Sequence, residues 1–127
     1  MKVVQIGSNK GNDHLFNFLK SNYTELDFGL FVEPNTLHIE DLKNCYSNYS
    51  NAIIENIAAK SPLRTETELE IFYNTNDGPG YEIASCDINH IKKHMNWISY
   101  LNEGEIKSFK IPCVTLEELF DKYHFLS

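Results

Sequence analysis

Apolar residues in the first half of the chain come in short continuous runs separated by polar turns, whereas later segments alternate apolar and polar positions. Lys2–Ile6 is a continuous apolar stretch of the kind buried on both faces of a parallel sheet. Asn12 or Asp13 then offers a side-chain cap for a helix with apolar positions Leu15, Phe16, Phe18 and Leu19, which Ser21-Asn22 breaks. A second run, Phe28–Val32, ends at Glu33-Pro34-Asn35, where proline withholds the amide that a strand ladder needs. The spacing next predicts a helix over 36–46 with Leu37, Leu42, Cys45 and Tyr46 inward, polar turn sequence over 47–51, and a third strand over 52–57. A β-α-β-α-β order with short connections implies parallel strands joined by right-handed crossovers.

Beyond residue 57 the pattern changes. Residues 69–73 alternate and read as a half-exposed strand, and Asn76-Asp77-Gly78-Pro79-Gly80 is turn or loop sequence. Ser85 or Asp87 can cap a short helix carrying Ile88, Ile91 and Met95. Trp97, Tyr100 and Leu101 form an apolar patch that either packs the core or covers a sheet edge. Residues 106–112 read as a strand ending at a proline. Thr115-Leu116-Glu117-Glu118 fits a capping box, opening a helix with Leu116, Leu119, Phe120 and Tyr123 on one side. No repeat, low-complexity tract or linker interrupts the chain, so residues 1–127 are expected to form one α/β domain.

Composition narrows the partners. The 127 residues are 42% hydrophobic and 23% charged, the balance of an ordinary globular domain rather than a disordered one. A net charge of −7, with scattered basic residues, argues against a nucleic-acid surface and against an anionic membrane surface. A candidate strand begins right after Met1, which leaves no space for a cleavable signal, and no apolar run approaches the roughly 20 residues that span a bilayer. Cys45, Cys86 and Cys113 are far apart with no C-x-x-C pair, as expected of reduced structural thiols in a cytoplasmic protein. The sequons at Asn22 and Asn48 are read as chance.

The chemistry concentrates after the first two strands. Gly7 and Gly11 let the loop Gly7-Ser8-Asn9-Lys10-Gly11 pass close to a ligand, and Ser8 and Asn9 supply hydrogen-bonding groups. A helix beginning near Asn12 would add partial positive charge there. Glu33, about twenty residues after the second glycine, sits where an acid accepts from ribose hydroxyls. The plain alternatives are a turn that needs glycine only for its dihedrals and a solvated acid at a strand end. Asn35 is read first as a helix cap and second as a ligand contact. His90 and His94 have helical i, i+4 spacing that can bind zinc, but no third ligand or H-E-x-x-H pattern accompanies them, so a surface pair is expected and no metal site is assigned. The expectation that carries the reading is geometric: Glu33 and the Gly7–Gly11 bend should lie side by side at the carboxyl tips of neighbouring parallel strands.

In Val4-Gln5-Ile6-Gly7-Ser8-Asn9-Lys10-Gly11, Val32-Glu33-Pro34-Asn35 and Asn56-Ile57-Ala58, the chain resembles FkbM-family S-adenosylmethionine-dependent methyltransferases. Lys110-Ile111-Pro112-Cys113-Val114-Thr115-Leu116-Glu117-Glu118-Leu119 is similar to that family's strand and threonine-capped helix before strand 4. The resemblance implies a Rossmann-like parallel sheet with flanking helices, the N-terminal part of a class I methyltransferase fold truncated before the acidic strand-4 motif. It implies S-adenosylmethionine as cofactor, held by Gly7, Ser8, Asn9, Gly11, Glu33, Pro34 and Asn35, with Asn56 and Ala58 placed for the adenine edge or serving as plain loop residues. It also places Ser85 near the cofactor. The implied acceptor is a hydroxyl of a small molecule or sugar, and no catalytic base can be named.

Two other readings stand beside it. An NAD-binding oxidoreductase domain would want G-x-G-x-x-G, yet Asn9 stands where the second glycine belongs. A catalytically inactive binding or assembly module would pair with another chain, or form a homo-oligomer, through an open sheet edge.

Overall fold

The computed structural model describes residues 1–78, 81 and 83–124, and its chain divides into two compact units. The first comprises 1–65 and 112–127, the second 66–111. Pro79 and Gly80 of the expected loop lie outside the described residues. Among the described residues no helix is long and apolar enough to cross a membrane.

The first unit is a mixed α/β arrangement built on a parallel sheet. Its strands are β1 (Lys2–Ile6), β2 (Phe28–Val32) and β3 (Ala52–Glu55), ordered β1-β2-β3. Val4 pairs with Leu30 and Leu30 with Ile53, so the three carboxyl ends come out together. β-branched and aromatic side chains favour these pleated positions. Helix α1 (His14–Asn22) is capped by Asp13, whose carboxylate accepts from the Phe16 amide at 2.9 Å. A single 3-10 turn (Thr36–His38) leads into α2 (Ile39–Cys45).

Helices cover both faces of this sheet. On one face Leu19, Leu42, Tyr46 and Tyr49 pack with Val3, Leu26 and Phe31, and the Tyr46 and Phe31 rings stack with centroids 3.8 Å apart. Tyr49 donates from its hydroxyl to the Tyr23 carbonyl at 2.9 Å, so the Tyr46–Tyr49 segment packs the helix end. On the other face Leu119 joins Leu30 and Val32, with Val4, Ile53, Val114 and Tyr123 around them. Leu119 belongs to α4 (Leu116–Tyr123), which Thr115 caps by accepting from the Glu118 amide at 3.1 Å. At the other end of α4, Lys122 donates to Glu55 at 2.9 Å and the Tyr123 hydroxyl donates to the same carboxylate oxygen.

Several expectations need correction. The predicted helix over 36–46 starts as a 3-10 turn, which leaves Leu37 exposed and turns His38 inward instead. The predicted third strand breaks after Glu55 and resumes as β4 (Ala58–Lys60). The strand expected over 106–112 runs on through its proline as β6 (Ile106–Thr115), and its last residues pair in parallel with β4, Ala58 opposite Cys113. Pro112 does not end it, and the pairing with β4 begins just after it, at Cys113. Leu116 faces out, at 43% exposure, while Leu119 is buried.

In the second unit β5 (Glu68–Asn74) lies beside β6. Helix α3 (Ile88–Trp97) is capped by Asp87, which accepts from the Asn89 amide at 2.9 Å. Ile91 and Leu101 are buried, but Trp97 and Tyr100 point outward, so the expected apolar patch divides. Asn74, fully buried, donates to the Leu101 carbonyl and accepts from the Asn76 amide, both at 2.9 Å, which satisfies its amide group inside the unit.

Candidate functional site

Three loops converge where β1, β2 and β3 end. Gly7 and Ser8 both donate their amides to the Val32 carbonyl, at 2.8 and 3.0 Å, which carries the β1 ladder into the turn. The chain then reverses through left-handed backbone at Gly7 (φ 83°), Asn9 (φ 52°) and Gly11 (φ 90°). Glycine meets such angles without strain, and asparagine tolerates them better than other L-residues.

Glu33 ties the turn down. It is 4% exposed; one carboxylate oxygen accepts from the Asn9 amide and the other from the Asn35 amide, both at 2.7 Å. A buried carboxylate left without partners would be costly, and charge-assisted bonds of this length are the compensation. Asn56 closes the third side: its Nδ2 donates to the Glu33 carbonyl at 2.9 Å and the Pro34 carbonyl at 3.2 Å, and its Oδ1 accepts from the Thr36 hydroxyl at 2.8 Å. Asn35 accepts from the Leu37 amide at 3.0 Å and so caps the turn that follows.

The structure therefore brings Gly7, Ser8, Asn9, Glu33, Pro34, Asn35 and Asn56 to one end of the parallel sheet. Glu33 and the Gly7–Gly11 bend are side by side, joined through Asn9. Gly11 and Ala58 have other surroundings. A methyl group on Gly11 would come within 3.0 Å of Cys45 Cβ and Leu42, so its missing side chain lets α2 pack against the turn. Ala58 is buried in the β4–β6 ladder rather than in a loop. Gly7 is different again: nothing lies within 4 Å of where its Cβ would be, and the residue is exposed. Ser85 belongs to the second unit, where its amide and carbonyl pair with Phe72.

The electrostatics are those of a tied-down loop. Ser8 is buried with its hydroxyl 3.4 Å from the Gln5 carbonyl. The α1 end expected to attract an anion already carries the Asp13 carboxylate, which lessens its pull on a second negative group. Asp13 also accepts from Gln5 Nε2 at 2.8 Å. Burial, then the Asp41 and Asp13 charges, push the Cys45 thiol up, so it stays protonated and donates to the Lys10 carbonyl at 3.3 Å. Burial works to raise Glu55, but hydrogen bonds from Lys122 and Tyr123 outweigh it and hold the carboxyl below its ordinary range.

Sequence reasoning missed three of these ties: Gln5 to Asp13, Thr36 to Asn56, and Glu55 to α4. Only the first left a trace in the chain, a polar residue inside an apolar strand. The other two join positions far apart in sequence. No protein-family model matches this chain, and neither the curated proteins nor the solved structures yielded a significant match.

Proposed function

We propose that the chain binds S-adenosylmethionine at the carboxyl tips of β1–β3 and is the cofactor-binding part of an FkbM-like O-methyltransferase acting on a hydroxyl of a small molecule or sugar. The observation that carries this reading is the Gly7–Asn9 turn hydrogen-bonded to Glu33 at adjacent parallel strand ends. Ligands of open parallel sheets bind outside those ends. In this reading the sheet is the first half of a Rossmann-like, doubly wound arrangement, which the order β1-β2-β3 and the helices on both faces support.

The residues present fit the cofactor. Each Glu33 oxygen has accepted one amide and keeps a further lone-pair direction, so the carboxylate can still take the two ribose hydroxyls and would repel a 2′-phosphate. Open space over Gly7 leaves room for the methionine portion, with Ser8 and Asn9 at its side. Pro34, Asn35 and Asn56 would border the adenosine, whereas Gly11 would support the turn from behind, against Cys45 and Leu42. Bound there, the cofactor supplies an electrophilic methyl on sulfonium for an oxygen nucleophile. The protein's own part is to hold donor and acceptor in line.

Isothermal titration with adenosylhomocysteine and with NAD tests the proposal. Saturable binding of adenosylhomocysteine, lost in Glu33→Gln, supports it. Binding of NAD instead, or of neither, sinks it. A second reading, a non-catalytic binding or assembly module, is favoured by β1 lying at the edge of its sheet. Gel filtration of a stable monomer at all concentrations would weigh against that module.

A further inference from the structure

His90 and His94 stand one turn apart on α3, with ring centroids 4.5 Å apart and planes inclined by 56°. His94 Nδ1 lies 2.9 Å from the His90 carbonyl oxygen. A carbonyl can only accept, so the contact is a hydrogen bond in the tautomer that carries a proton on Nδ1, which leaves Nε2 as the lone-pair nitrogen. Metal-ligating histidines are held in this way: a backbone carbonyl takes one ring N–H, fixes the tautomer and leaves the other nitrogen to the ion. The two rings, with Lys93 and Trp97, line an open groove of about 260 Å³. The Lys93 ammonium stands over the Trp97 ring, 5.8 Å from its centroid.

We propose that His90 and His94 form a two-nitrogen site for a borderline divalent cation, zinc above all. Imidazole nitrogens suit zinc, copper and nickel better than calcium or magnesium. Spacing alone favours a plain surface pair; the His94 Nδ1 contact with the His90 carbonyl and the approach of the rings are what the structure adds. Among the described residues no group of three or more His, Cys, Asp or Glu could hold a metal, so the site supplies two ligands and leaves its remaining positions to solvent or to a second ligand. Such a site is exchangeable rather than structural, and a cationic Lys93 nearby keeps it modest in affinity. It is independent of the cofactor reading, lying in the other unit of the chain.

The test is calorimetric titration of the full chain with zinc chloride in a non-chelating buffer near neutral pH. One saturable site is expected, weakened about tenfold or more in His90→Gln and again in His94→Gln. Both side chains project from the helix surface, so the variants should keep their circular dichroism. Absence of saturable binding in the parent chain, or binding unchanged in both variants, overturns the proposal. Nickel provides a second readout, because paramagnetic broadening should reach the His90 and His94 ring signals first. Broadening that starts at other histidines overturns it too.

Discussion

β1 and β2 are both five-residue strands of one parallel sheet with an apolar core, yet they occupy very different surroundings. In β2, Leu30, Phe31 and Val32 have no exposed surface, because the strand has neighbours on both edges and helices on both faces. In β1 only Val3 is buried, and Ile6 is 43% exposed. The two strands read alike because hydrophobic pattern reports what a strand can bury, not which place in the sheet it takes. Their tips are nonetheless fastened together through Glu33, so the edge strand borrows order from the central one.

Substitutions should separate these roles. Phe31→Ala removes a ring stacked on Tyr46 at the centre of the sheet and should cost about 3–5 kcal/mol in urea unfolding, whereas Ile6→Ala on β1 should change stability by about 0.5 kcal/mol or less. Equal losses would mean that β1 is no true edge. Next in size, Glu33→Gln turns one acceptor into a donor facing a backbone amide. It should cost about 1–3 kcal/mol and speed amide exchange in the Gly7–Gly11 turn before that in β2. Uniform exchange would show that Glu33 does not couple the two tips.

The two glycines give a finer comparison. Gly7→Ala meets only backbone strain, about 1–2 kcal/mol, while Gly11→Ala adds a clash with Cys45 and Leu42 and should be the more damaging in thermal unfolding. If Gly7 borders the cofactor, its variant should still lose adenosylhomocysteine binding. The smallest effect concerns α4. Glu55 is held below its ordinary value of 4.5, so its contribution to stability is present above that pH and fades as the pH falls through the folded value. Lys122→Met should flatten this acid limb by about 0.5 kcal/mol or less, since the lysine end of the pair is largely open to solvent. An unchanged limb would assign the acid sensitivity to other carboxylates.

The convergence of Gly7–Asn9 with Glu33 was legible in the chain because both motifs sit at the ends of consecutive apolar runs, and parallel pairing carries such ends to one edge. Asp13, Asn35 and Thr115 were readable as caps for a similar reason, since a cap acts on amides two or three residues away. Ala58 was not. Its burial depends on pairing with Cys113, a partner more than fifty positions away that no local pattern announces. Trp97 misled in the opposite direction, since a large apolar side chain carries no sign of whether a neighbour will cover it.

By itself, the amino-acid order determined the alternation of strands and helices over the first fifty-five residues, the capping of α1, α3 and α4, and the bend at Gly7 and Gly11. Those are local matters of side-chain periodicity, dihedral freedom and nearby amides. Only the tertiary structure decided that β2 is central and β1 marginal, that Glu33 spends two of its lone pairs on loop amides, and that β6 continues past Pro112 to meet β4. Each of these depends on which distant segments share space, and their free energy arises from burial and pairing that short-range pattern does not encode.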